Sequence, residues 1–297
     1  MNVQDQISEE TLTSRTQSAT WEQHFTLGTK ILTYNRISFN NRSERAIEVP
    51  LALEFLAQYQ SSERILEVGN VLQHYEHLMQ KRFTSPPRRV IDKFEIGRDV
   101  ENIDLMDMDP ERKFQAIIAI STVEHVGQFC TPTGEFGELD SKVDLEAPLK
   151  AIAKVYDLLE VGGRALLTVP FGKLTAGGWY VQFSAEYLEL LVTSYGLPRE
   201  ALHVGTLKQV AREKRWRNPR QRWIETDMHA LHTVRYDALL SGARAIAVLE
   251  LQKLPSPFTL NLSVAPTLFV YERSPLLSRL LSHMGSLKNS IVRVFKA

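Results

Sequence analysis

Apolar positions along this chain alternate between helical stripes and short continuous runs, and their order predicts the fold. From Ile47 to Tyr59 the residues Ile47, Leu51, Phe55, Leu56 and Tyr59 share one helix face, with Pro50 tolerable only in the first turn. Residues 64–68 then read as a strand. Val71 to Phe83 reads as a helix, broken by Pro86-Pro87, and Arg89-Val90-Ile91 as a short buried strand ending at Asp92. Phe114 to Ile120 is a nearly continuous apolar run of the kind a parallel strand shows when both its faces are covered. Leu149, Ile152, Ala153, Tyr156 and Leu159 repeat at helical spacing. After them Gly162-Gly163 is expected to supply a left-handed stop before a strand over 165–169, closed by Pro170. Ser184 is placed to cap a helix running through Tyr195, and residues 243–251 make one more strand.

Helices alternating with strands predict an α/β fold: a Rossmann-like, doubly wound, mostly parallel sheet with helices on both faces. Nothing between the patterned segments has the character of a linker, so 21–255 reads as one domain. Residues 1–20, rich in Ser, Thr, Gln and Glu, form an expected mobile arm. Residues 256–297 form a C-terminal extension in which Leu276, Leu277, Leu280, Leu281 and Met284 recur at helical spacing, a pattern suited to a partner, a second subunit or a membrane surface. Composition narrows this picture only slightly. With 43% hydrophobic and 24% charged residues the 297-residue chain can bury an ordinary core, and 35 basic against 35 acidic residues give no global pull toward nucleic acid or anionic lipid. The single cysteine, Cys130, forms no internal disulfide. With no secretory leader pattern and no apolar run of membrane-spanning length, a reducing cytoplasmic setting is the default expectation.

The stretch Ile65-Leu-Glu-Val-Gly-Asn-Val-Leu-Gln-His-Tyr75 runs from an apolar strand through one acid and one glycine into a helix start. In open α/β sheets small ligands lie beyond the carboxyl ends of the strands at such turns, where glycine permits close approach. A dinucleotide needs three glycines there, but Val71 and His74 occupy the second and third positions and would obstruct a pyrophosphate. S-adenosylmethionine is an adenosine ligand without phosphate. It needs one tight turn and a carboxylate for its ribose diol, and Asp92 stands at the end of the second strand.

These residues, with Val90-Ile-Asp-Lys-Phe-Glu95, Ile118-Ala-Ile-Ser-Thr-Val-Glu-His-Val-Gly127 and Leu159-Glu-Val-Gly-Gly-Arg-Ala-Leu-Leu-Thr-Val-Pro170, resemble the class I S-adenosylmethionine-dependent methyltransferases over roughly residues 40 to 255. The variety most similar is a bacterial branch with Glu-Val-Gly-Asn-Val in its first motif. Its Asn-x-Arg, Glu-x-Pro arrangement is matched by Asn40, Asn41, Arg42, Glu44, Arg45, Glu48 and Pro50. The resemblance implies seven strands with the last antiparallel. It implies that Glu67 and Gly69 meet the methionine portion, Asp92 the ribose, Asp104 and Leu105 the adenine, that Asn70 is among the cofactor-binding residues, that Ser121 lines the floor, and that Arg45 lies near the ligand carboxylate. The glycine-poor first motif departs from the general family pattern.

Glu124-His125 falls beyond the fourth strand, where an acceptor approaches the methyl group, and an imidazole suits proton removal at neutral pH. Structural bracing explains the same pair. The other histidines make no compact ligand set, so no metal is expected, and Cys130 has no obvious activating partner. The acceptor is expected over Phe171–Tyr180, where Gly172, Gly177 and Gly178 loosen a loop carrying Trp179 and Tyr180. Segment 208–222 is strongly basic, contains Trp216 and abuts Trp223. It suits a phosphate backbone, an acidic small substrate or a plain solvated face. The reading is a methyltransferase acting on oxygen or nitrogen of a small-molecule or glycan acceptor. Its rivals are a nucleic-acid methyltransferase and a non-catalytic cofactor-binding scaffold.

Overall fold

A computed structural model describes residues 21–38, 40–59, 64–75, 86–128, 144–215, 217–236, 242–267 and 271–273. A hairpin, β1 (His24–Leu27) and β2 (Lys30–Thr33), precedes helix α1 (Arg45–Leu56). Strands β3 (Ile65–Val68), β4 (Arg89–Ile91), β5 (Val100–Glu101) and β6 (Phe114–Ile120) follow. Then come α2 (Ala147–Leu158), β7 (Leu159–Pro170), β8 (Thr175–Ala176), β9 (Val181–Gln182) and α3 (Ala185–Thr193). The described chain closes with β10 (Leu202–Arg212), β11 (Gln221–Glu225), β12 (Ala245–Gln252) and β13 (Glu272–Arg273).

The main sheet has eight strands in the order β11-β10-β12-β7-β6-β3-β4-β5. Strands β5, β4, β3, β6 and β7 are parallel, and β12 is inserted antiparallel between β7 and β10. The chain moves outward from β3 to β5 and then returns to lay β6 against the other side of β3. The order therefore reverses between β3 and β6, and a crevice opens at that switch point.

Alternating side chains of each buried strand feed two cores. On one face Ile65, Ala116, Ile118 and Ile246 pack against Ile47, Leu51 and Phe55 of α1 and Phe25 and Leu32 of the hairpin. On the other, Leu66, Ile117, Ala119 and Leu167 pack against Leu149, Ile152 and Tyr156 of α2 and Tyr187 and Leu191 of α3. Ser184 caps α3, its Oγ accepting the Tyr187 N–H at 3.3 Å. Part of the extension belongs to this second core: Phe258, Leu260 and Val264 pack on it, and the Thr267 N–H donates to Glu146 at 2.6 Å.

The structure corrects three expectations. The sheet has eight strands, not seven, because β10 returns as the antiparallel hairpin strand β11. That strand was hidden in the basic segment: Gln221 and Trp223 point inward while Arg222 and Ile224 point out, so charge masked the alternation. Gly162 and Gly163 lie inside β7 rather than stopping a helix. Gly162 has φ +81°, and the register against β6 slips between Phe114 and Ala116. After Gly69 the described chain forms a single 3-10 turn, Leu72–Tyr75; the rest of the helix expected to Phe83 lies outside the described residues. The arm 1–20, Cys130, Trp216 and the stripe beyond 273 also lie outside them. No helix among the described residues is long and apolar enough to cross a membrane.

Candidate functional site

Beyond the carboxyl ends of β3, β4 and β6, at the switch point, lies a cavity of about 360 Å³. Gly69, Asn70, Asp92, Asp104, Leu105, Ser121 and His125, expected from sequence to form a site, all line it, joined by Lys93, Phe94, Glu95, Thr122 and Gln128. Glu67, Arg45 and Glu124 do not.

Gly69 is required twice over. Its φ is +83°, and a Cβ added there would stand 2.2 Å from Thr122 Oγ1. The turn is braced from beneath by Glu67, whose Oε1 accepts the N–H groups of Val71 at 3.1 Å and Leu72 at 2.7 Å and whose Oε2 pairs with Arg88. Burial pushes the Glu67 carboxyl up, against the pull of Arg88. Glu67 thus shapes the turn from outside the cavity lining.

Asp92 Oδ1 accepts the Phe94 and Glu95 N–H groups at 2.8 and 2.7 Å, closing the turn after β4, while Oδ2 receives only a long 3.4 Å contact from the Asn70 N–H. A carboxylate has about four lone-pair sites, so Asp92 retains capacity for a diol. Asn70 Nδ2 donates to Glu95 at 2.7 Å and Gln73 at 2.8 Å, and its Oδ1 is buried with no donor; Gln128 Oε1 is likewise buried and undonated. Asp104 caps the 3-10 turn Leu105–Asp107 through the Met106 N–H at 2.9 Å and pairs with Lys93 at 2.8 Å. Leu105, 4% exposed, supplies an apolar wall. Three carboxylates and one lysine thus ring a cavity whose buried amides offer acceptors.

Ser121 adopts φ +42°, unusual for a non-glycine residue, at the end of β6. Its N–H donates to Thr168 O and Oγ1, and its hydroxyl donates to Glu48 Oε1 at 2.6 Å. Thr168 donates to the same oxygen at 2.6 Å, and Arg45 pairs with Oε2. Arg45 is therefore committed to Glu48 beneath the floor. Glu44 beside it accepts the Ala243 N–H at 2.8 Å, and burial reinforced by Glu48 pushes its pKa up to about 7.

His125 Nδ1 lies 2.7 Å from the Trp179 carbonyl oxygen, which can only accept, so Nδ1 carries the proton and Nε2 the lone pair. The ring stacks on Trp179 at 5.0 Å and 9°, and Trp179 meets Tyr180 and Tyr236 edge-on. Burial lowers the His125 pKa to about 4, yet 29% of its side chain stays open, so water or ligand in the cavity bears on the cost of charging it. Nε2 is 3.7 Å from Glu124 Oε1. Glu124 is 3% exposed, its Oε2 has no donor, and burial raises its carboxyl well above the usual range. Its burial disfavours the ionised form.

Tyr236 had no sequence signal: it lies far along the chain from the motifs and no periodicity singles it out. Thr122 was detectable only as the neighbour of Ser121. Trp223, expected as a stacking surface, is 2% exposed with Nε1 donating to Gln221 at 2.8 Å, and cannot stack a base. No group of three or more metal-ligating side chains gathers among the described residues.

The sequence matches no family model and no curated relative. Among solved structures it is similar to the N-methyltransferase NodS from Bradyrhizobium japonicum in complex with S-adenosyl-L-homocysteine, with 12% identity over 71% of this chain and 89% of that one and a TM-score of 0.36. A SAM-dependent methyltransferase from Archaeoglobus fulgidus shares 12% identity over 71% and 95%, with a TM-score of 0.42. The YcgJ protein from Bacillus subtilis shares 10% over 70% and 99%, with a TM-score of 0.41. Similarity this low assigns neither fold nor activity; the strand order defines the fold.

Proposed function

We propose that the chain is an S-adenosylmethionine-dependent methyltransferase that transfers the sulfonium methyl to an oxygen or nitrogen of a small-molecule or glycan acceptor. One observation carries this reading: a switch-point cavity ringed by Asp92, Glu95 and Asp104, entered over a single tight glycine turn. Such a lining favours a cationic, donor-rich adenosine ligand and repels a pyrophosphate, which would want backbone N–H groups and positive charge. Asp92 would hold the ribose diol, Leu105 would cover the adenine, and Gly69 and Asn70 would border the methionine portion. Asp104, already bonded to Lys93, would meet the adenine amino group with its remaining lone pairs.

The cofactor would supply an activated methyl group, so positioning of the acceptor contributes much of the acceleration. Transfer of that methyl from sulfur to an oxygen or nitrogen, with S-adenosylhomocysteine leaving, would require the acceptor to lose a proton. His125 Nε2 is the lone pair available to take it, and it stands 3.7 Å from the Glu124 carboxyl, whose ionised form burial disfavours.

Titration calorimetry with S-adenosylmethionine, S-adenosylhomocysteine and a nicotinamide dinucleotide tests the reading, followed by mass-spectrometric detection of labelled methyl in extract. Binding of the dinucleotide alone would sink it. His125→Ala should slow transfer by roughly 10² to 10⁴ with cofactor affinity unchanged, and the wild-type rate should fall only as pH drops toward about 4, where Nε2 becomes protonated. A loss of cofactor affinity at unchanged turnover would make His125 a brace instead.

A further inference from the structure

The β10–β11 hairpin leaves the sheet at the same end as the cavity. Lys208 is level with Ala245, whose carbonyl accepts the Phe171 N–H just past β7, so residues 213–215 and 217–220 project beyond the carboxyl ends of the parallel strands. Segment 208–222 carries seven Lys and Arg residues and one acid, Glu213, in a chain whose overall charge is zero. Glu213 is taken by Arg220 at 2.7 Å, and Arg222 faces Glu22 at 3.8 Å. Lys214 and Arg215 at the tip are exposed.

The tip is held in place. Asn218, at φ +55°, accepts from Asn41 Nδ2 at 2.6 Å, and Gln221 Nε2 donates to the carbonyls of Asn41 and Ser43. Those carbonyls belong to the loop that leads into Glu44 and Arg45 beneath the cavity floor, so the positive tip is fixed relative to the site. From the end of β6 to β10 the sheet order crosses three interstrand spacings, about 14 Å. An acceptor that reaches both the methyl group and the tip is therefore elongated.

Charge then selects its chemistry. A nucleic acid would bring a phosphate every few ångströms, including past Asp92, Glu95 and Asp104, and it derives its affinity from many phosphate contacts. A short cationic tip set apart from an acidic cavity suits an acceptor charged at its far end only.

Resting on the transferase reading above, we propose that the β10–β11 tip anchors the acidic end of an elongated methyl acceptor, an oligosaccharide or similarly extended molecule bearing one or two carboxylates. Fluorescence anisotropy on the full chain tests this with labelled trigalacturonate, neutral maltotriose and a single-stranded oligonucleotide. Trigalacturonate should bind, maltotriose should not, and added salt should weaken the binding. The double variant K214E/R215E should bind the acid at least about tenfold more weakly, with S-adenosylmethionine affinity and circular dichroism unchanged. Failure of trigalacturonate to bind, equal binding of maltotriose, or wild-type affinity in the double variant would overturn the proposal. Oligonucleotide binding about tenfold tighter than the trisaccharide, lost in the same variant, would replace it with a nucleic-acid acceptor. Loss of S-adenosylmethionine binding with the anion site intact would sink the transferase reading alone.

Discussion

Asp92, Glu95 and Asp104 ring the cavity with solvent on one side: the Glu95 side chain is 42% exposed and that of Asp104 22%. Glu44, Glu48 and Glu124 lie beneath and behind the floor, each at 9% exposure or less. Both groups are carboxylates within one site, but they do different things. Asp92 and Asp104 close their own turns through backbone N–H groups, Glu95 accepts from the Asn70 side chain, and all three keep lone pairs over for a ligand. Of the floor acids, Glu48 is fully committed, to Arg45, Ser121 and Thr168, and Glu44 and Glu124 are driven toward their neutral forms. Exposure separates cavity-facing acids from scaffold acids more sharply than residue type does.

The hardest way to break that contrast is Glu48→Ala. It leaves Arg45 without its carboxylate and the hydroxyls of Ser121 and Thr168 without their acceptor, so stability to denaturant should fall by about 3 to 5 kcal/mol. A loss below about 1 kcal/mol would mean that water replaces the network and the floor is not dry.

On the cavity side, Asp92→Asn keeps an acceptor oxygen for the Phe94 and Glu95 N–H groups while removing the charge. Cofactor affinity should drop by roughly 1.5 to 3 kcal/mol in calorimetry, with the melting temperature little changed. Unchanged affinity would move the ribose contact to Glu95.

Gly69→Ala joins the two regions, since it strains the backbone at φ +83° and drives a Cβ into Thr122. We expect about 1 to 3 kcal/mol of destabilisation, part of it recovered in the double variant with Thr122→Ala because the clash goes and the strain stays. Full recovery would show that the backbone strain costs nothing here.

Glu44→Gln tests the floor acids through pH dependence, with an effect comparable to that of Gly69→Ala. The Glu44 pKa is raised from 4.5 to about 7, so its contribution is fully present below pH 4.5 and is lost as pH rises through about 7. The amide still accepts the Ala243 N–H but never ionises. The variant should therefore gain stability relative to the parent between pH 5 and pH 8, on the order of 2 kcal/mol, by chemical denaturation at the two pH values. Parallel stability curves would mean that Glu44 is ionised throughout.

Local pattern determined much of this molecule. The short apolar runs at Ile65, Arg89 and Phe114 became β3, β4 and β6 because a strand buried on both faces leaves no place for polar residues. The glycine turn, Asp92 and Ser121 followed directly, since chemistry at the carboxyl ends of such strands is set by the next one or two residues. Tertiary structure decided the rest. It alone turned a basic stretch into a strand, because the inward face of β11 is satisfied by Tyr34 and the loop before α1, far away in sequence. It alone assigned Arg45 and Glu67 to bracing, because a carboxylate or guanidinium is spent on whichever partner reaches it first. And it alone brought Tyr236 beside Trp179, on which His125 stacks, a contact made across more than fifty residues with no period to announce it.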